Sequence, residues 1–128
     1  MRQWVISVSK RLRGILADRS PVVTALSRIF LEEIERLLCD AADAPTDRVA
    51  AEQTHPRLGA VSFQHRFGSA LNQHVHLHAC VTDGVFERSA AGGGVTFHAA
   101  RPLTASDLAT VTQRVRLRLV RWFCRKGF

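Results

Sequence analysis

The stretch Gln73-His74-Val75-His76-Leu77-His78-Ala79-Cys80-Val81 decides how this chain is read. Its histidines fall at every second position, with Val75, Leu77 and Val81 in the alternate places. A period of two is the mark of a half-buried β-strand, in which successive side chains point to opposite faces. As a strand, the segment gathers His74, His76 and His78 on one face of a sheet and turns the apolar residues to the other. As a helix it would rotate successive histidines by about 200° and scatter them.

The flanking sequence supplies partners. Gly59–Phe67 (GAVSFQHRF) reads as a second strand, and Gly68-Ser69-Ala70-Leu71-Asn72 as the turn between the two, which predicts an antiparallel hairpin. With the turn centred near Ser69-Ala70, His65 stands opposite His74 and beside His76. A register slip of one residue would bring Gln64 there instead. Asp83-Gly84 closes the histidine strand as a turn, Val85–Arg88 extends beyond it, and Val95–Ala99 forms a short strand after the flexible Ala90–Gly94.

Further out, Gln3–Val8 is a short strand, and the basic stretch Lys10–Ala17 suits a short helical turn. Ser20-Pro21 starts a helix whose Val23, Leu26, Phe30, Ile34 and Leu37 make one apolar stripe, with Glu32, Glu33 and Arg36 mostly off it. Asp40–Pro56 is a polar, Ala-rich connection. Thr104 begins a second long helix, with Asp107 placed to complete a capping box. Leu108, Val111, Val115, Leu119 and Trp122 form its apolar face, and Arg114, Arg118, Arg121 and Arg125 a neighbouring basic stripe. The order β-α-β-β-(β)-α predicts an α+β sandwich: a central antiparallel sheet with the histidine strand interior and helices packed on one face. The other face is left to carry a site.

Composition narrows the function. The 128 residues suit one domain, and a hydrophobic share of 46% is enough for a core. A net charge of +7, with 16 Arg against 2 Lys, points to an anionic partner, above all nucleic acid. Cys39, Cys80 and Cys124 form no C-x-x-C pair and read as small buried groups of a reducing, cytoplasmic setting. No signal peptide or membrane span is apparent. There is no tyrosine. No Gly-rich phosphate loop or Ser-His-Asp arrangement is present.

Neutral imidazole is a ready ligand for divalent metals. Two histidines two apart on a strand make a rigid half-site that neighbouring strands complete. The expected ligands are therefore His76 and His78, with His65 third (Gln64 as the fallback) and His74 near the rim. His55 and His98 read as structural or surface residues.

These residues carry a family resemblance. His76-Leu77-His78 is a His-hydrophobic-His motif of the HUH endonuclease type. The wider set is more specific: Arg2-Gln3-Trp4-Val5-Ile6-Ser7-Val8, then Phe63-Gln64-His65-Arg66-Phe67-Gly68-Ser69-Ala70-Leu71-Asn72, then His74–His78 and Asp83-Gly84-Val85-Phe86. Together they resemble the two-tyrosine transposases of rolling-circle insertion sequences, from Arg2 to about Phe86 and more weakly to the C-terminus.

The resemblance implies an HUH/ferredoxin-like sandwich whose histidines hold Mg²⁺ or Mn²⁺ against the scissile phosphate of single-stranded DNA. A tyrosine hydroxyl then forms a 5′-phosphotyrosine and frees a 3′-OH. It implies basic side chains along the DNA backbone, here Arg114, Arg118, Arg121 and Arg125. The chain departs from the pattern twice: it lacks the downstream tyrosines and the Cys-rich zinc-binding segment usual at the N-terminus. Residues 1–128 are therefore expected to be a partial HUH-type catalytic domain, a fragment that does not nick DNA by itself. The alternative is a non-catalytic nucleic-acid-binding module.

Overall fold

The computed structural model of the chain describes residues 1–7, 20–42, 56–65, 76–88 and 93–127. Among these residues seven elements follow in order: β1 (Arg2–Ser7), α1 (Ser20–Ala41), β2 (Ala60–His65), β3 (His76–Val81), β4 (Gly84–Arg88), β5 (Val95–Ala99) and α2 (Ala105–Lys126). The class is α+β, as the patterning predicts. The strands form two small antiparallel sheets rather than one: a three-stranded sheet in the order β1-β3-β2 and a two-stranded ribbon, β4-β5. The histidine strand is the central one of the larger sheet. The Lys10–Ala17 stretch, the Gly68–Asn72 turn, His55 and His74 lie outside the described residues.

Alternation along β3 sets the layers. Leu77, Ala79 and Val81 are buried and join Val85 of β4, the apolar stripe of α1 and one face of α2 in a single core. Each large aliphatic side chain fully withdrawn from water there, such as Leu26, Ile29 or Ile34, contributes about 1.5–3 kcal/mol. Trp4 and Ile6 of β1 pack against the same core, Trp4 edge-on to Phe30 with ring centroids 6.5 Å apart. The helices thus cover one face of the larger sheet, and the positions of His76, His78 and Cys80 turn away from them.

The second helix is secured at both ends. The Asp107 N–H donates to Thr104 Oγ1 and the Thr104 N–H to Asp107 Oδ2, the capping box expected from sequence. Arg101 grips both oxygens of Asp107 at 2.8 and 3.1 Å. At the other end Gly127 takes the left-handed conformation (φ 75°), and its N–H bonds Phe123 O.

Three sequence expectations need correction. Leu108 is 48% exposed, because the covered face of α2 begins one turn later, at Val111. Glu33 is not on the solvent side of α1 but 1% exposed, held by Arg118 reaching across from α2. Of the cysteines only Cys39 is buried: Cys80 is half-buried on the outward face of β3, and Cys124 is exposed on α2. Burial, then the charges of Glu35 and Asp40, push the Cys39 thiol up to about 11, so that thiol is inert at neutral pH.

Candidate metal and nucleic-acid site

The central strand builds the site through its register. In β1, Val5 opposes His78 and Ser7 opposes His76; in β2, Phe63 opposes His78 and His65 opposes His76. Directly opposed residues of an antiparallel pair share a face. His65, His76 and His78 therefore occupy positions on one face, turned away from the helices. The hairpin is offset by two residues from the expected pairing: His65 stands opposite His76, not His74. An even shift leaves every residue on its face, and only an odd one exchanges faces. The same register puts Gln64 opposite Leu77, a core position, which removes Gln64 from the histidine face.

The spacing follows from the ladder. Opposed positions lie about 5 Å apart at Cβ, and same-face neighbours along a strand about 7 Å. Among the described residues whose side chains are defined, no group of three metal-ligating side chains is gathered. His78 is half-buried, and Gln3 Nε2 lies 3.0 Å from its Nδ1. Gln3, on the edge strand β1, is the site residue that sequence reasoning passed over. Its signal is positional: Gln3 pairs with Cys80, two residues from His78 on the same face.

His98 is no ligand candidate. Its Nε2 is 2.8 Å from Glu87 Oε2, a diagonal neighbour on the same face of the β4-β5 ribbon.

Tertiary structure divides the basic stripe of α2. Arg118 donates to Glu32 and to the buried Glu33, the latter at 3.0 Å, and so ties α2 to α1. Arg121 and Arg125 line a cleft of about 540 Å³ between the helices, shared with Arg118, Arg28, Ile29 and Cys124. Arg114 is exposed further along. Arg28 and Glu32 belong to the solvent-facing line of α1, so this cationic cleft looks away from the sheet that carries the histidines.

Residues 59–126, more than half of the chain, match the family model described as "Putative transposase". The chain belongs to that transposase family. Membership makes DNA its partner and gives it a transposase-related function. The match takes in β2 to α2, hence His65, His76, His78 and all four stripe arginines; β1 with Gln3, and α1 with Glu33, fall outside it. Neither the curated proteins nor the solved structures supply a significant match. Within the transposase chain, no helix among the described residues is long and apolar enough to cross a membrane.

Proposed function

We propose that this transposase-family chain is the metal-binding part of a single-strand-directed DNA transposase of the HUH, two-tyrosine type, a partial catalytic domain over residues 1–128. In this reading it acts in the cytoplasm. His76 and His78 are the primary ligands of Mg²⁺ or Mn²⁺, His65 is the third and His74 stands at the rim. The observation that carries the reading is the ladder pairing of His65 with His76, next to His78, on the sheet face that the helices leave open.

The chain's own groups do three things. The central strand fixes the spacing of His76 and His78, because β3 is held on both edges. Gln3 sits on the Nδ1 side of the His78 ring; once its amide turns to present Oε1 to a protonated Nδ1, Nε2 is left for a ligand bond. Exposed arginines, Arg121 and Arg125 above all, attract the DNA backbone and make binding fall steeply with salt. A bound divalent ion supplies charge compensation for the phosphoryl group and aligns it for in-line attack. No tyrosine is present to make that attack, so this chain alone is proposed not to nick or join DNA.

The missing tyrosine also favours the second reading, a non-catalytic nucleic-acid-binding module. The two separate in one experiment. Calorimetric titration with Mn²⁺ is expected to show a single site in the wild type, weakened by His65→Ala and lost in His76→Ala/His78→Ala. Equal binding by the wild type and the double variant ends the metal reading. Salt-dependent binding to single-stranded DNA without any metal site leaves the module.

A further inference from the structure

The face of the β4-β5 ribbon turned away from the core carries an aromatic pair that the histidine site does not use. Phe86 and Phe97 oppose one another in the register, with ring centroids 5.0 Å apart and planes at 47°. Cross-strand aromatic pairs stabilise ribbons, and this pair does so. That role does not require exposure, yet Phe86 is 38% and Phe97 47% exposed, while Val85 on the other face is fully buried.

The surroundings of the pair are cationic. An isolated bridge joins Phe86 to Arg57, through Arg57 N–H to Phe86 O at 2.9 Å and Phe86 N–H to Arg57 O at 2.7 Å. Opposed residues share a face, so Arg57, Phe86 and Phe97 form one row across three adjacent segments. Arg88, two residues beyond Phe86, is exposed on the same face. Gly84 lies beneath the pair: a Cβ there would stand 2.9 Å from Phe97 Cζ and 2.1 Å from His98 O, so only glycine lets the Phe97 ring lie across the strand. Two open rings on a rigid ribbon, edged by guanidinium groups and built into a chain of charge +7, match the chemistry of unpaired bases on a phosphate backbone. Duplex DNA keeps its bases stacked on one another and offers no face to such rings.

We infer that Phe86 and Phe97 form a base-stacking platform for single-stranded DNA, with Arg57 and Arg88 receiving the adjoining phosphates. The platform rests on the single-strand reading given above and adds a second contact to it. Strands β3 and β4 follow one another directly and bury their opposite positions in the same core, so the histidine face and the platform both look away from α1.

The test compares a 20-nucleotide oligothymidylate with an abasic oligonucleotide of the same length and charge, by fluorescence anisotropy at low salt. The wild type is expected to prefer the base-bearing strand by about tenfold, within what stacking on an aromatic side chain contributes. Phe97→Ala is expected to remove most of that preference while keeping the salt dependence, and Phe97→Tyr to preserve it. Circular dichroism checks that each variant is folded. Equal wild-type affinity for both oligonucleotides, or an undiminished preference in folded Phe97→Ala, overturns the platform and leaves the single-strand reading standing. No wild-type binding to either oligonucleotide, or preference for duplex, overturns both. Should Phe97→Ala fail to fold, loss of the preference in Arg57→Ala/Arg88→Ala counts for nothing; Phe97→Leu, which keeps the apolar volume without the ring, then decides by the same two outcomes.

Discussion

Gln3 on the edge strand holds His78 on the central strand: its side-chain amide lies 3.0 Å from the ring Nδ1. As placed, Gln3 Nε2 donates to Nδ1. Half a turn of the amide presents Oε1 instead, which accepts from a protonated Nδ1, the tautomer that a metal bound at Nε2 requires. In the proposed metal site Gln3 is a positioning residue, able to meet either tautomer of the ring without moving the strand.

Gln3→Ala is therefore expected to weaken Mn²⁺ binding about tenfold, the low end for loss of an outer hydrogen-bond partner. Gln3→Glu restores or strengthens it, since a carboxylate accepts better from Nδ1–H. Calorimetry reads both. An unchanged affinity in Gln3→Ala shows that the contact does not orient the ring.

Arg118 and Glu33 form the main polar tie between the helices. Glu33 is 1% exposed, its Oε1 accepts from Arg118 Nη1 at 3.0 Å, and its Oε2 has no hydrogen-bond partner among the described residues. Arg118→Met leaves the buried carboxylate to the more distant and exposed Arg36, 4.0 Å away, at a cost of about 2–3 kcal/mol in urea unfolding. That lies at or below the low end for breaking a buried pair, because Arg118 itself keeps some solvent. Arg118→Met/Glu33→Leu is expected to recover most of the loss. A double variant no better than the single one would mean that the pair contributes more than it costs to desolvate.

Gly84 sits where β4 begins and the Phe97 ring crosses it. Gly84→Ala drives a methyl group to 2.1 Å from the His98 carbonyl oxygen, a backbone atom that cannot swing aside. The expected loss is about 2–3 kcal/mol, as for an overpacked interior site, with near-ultraviolet circular dichroism reporting the disturbed Phe86–Phe97 pair. Stability within about 0.5 kcal/mol of wild type would mean that the ribbon yields.

Two carboxylates give the fold an acid limit. Burial works to raise the Glu32 carboxyl, but the hydrogen bond from Arg118 and the charges of Arg118 and Arg28 outweigh it and hold it below its ordinary value. The Arg101 bond, then the Thr104 backbone N–H, hold Asp107 well below the carboxylate range. A group whose folded pKa is depressed stabilises fully above its unfolded value, about 4, and loses that contribution as pH falls toward the folded one. Urea midpoints are expected to show no contribution from these groups to pH dependence above about 5 and a decline below about 4. The decline should be shallower in Glu32→Gln/Asp107→Asn. An equally steep decline in that variant places the acid sensitivity elsewhere.

Much of this was legible in local pattern. The period of two marked a strand, found over His76–Val81, with His76 and His78 on one face, and the spacings of Val23, Leu26, Phe30, Ile34 and Leu37 marked the buried stripe of α1. Thr104 and Asp107 announced the start of α2. Each depends only on residues within one turn or one pleat, so a single chain segment contains the whole instruction.

Tertiary structure decided what depends on partners distant in sequence. The residue across from His76 is set by the registry of two strands, and parity alone, not the distance along the chain, protects its face. Burial of Glu33 needed Arg118, 85 residues away, and the same contact ties that arginine of the basic stripe to α1. Gln3 reached His78 because the first strand of the chain pairs with the fourth element. Exposure of Phe86 and Phe97 followed from Val85 taking the core side of a two-residue alternation. The sequence by itself determined which residues share a face; only packing determined which faces meet, because hydrophobic burial rewards covered area without naming what covers it.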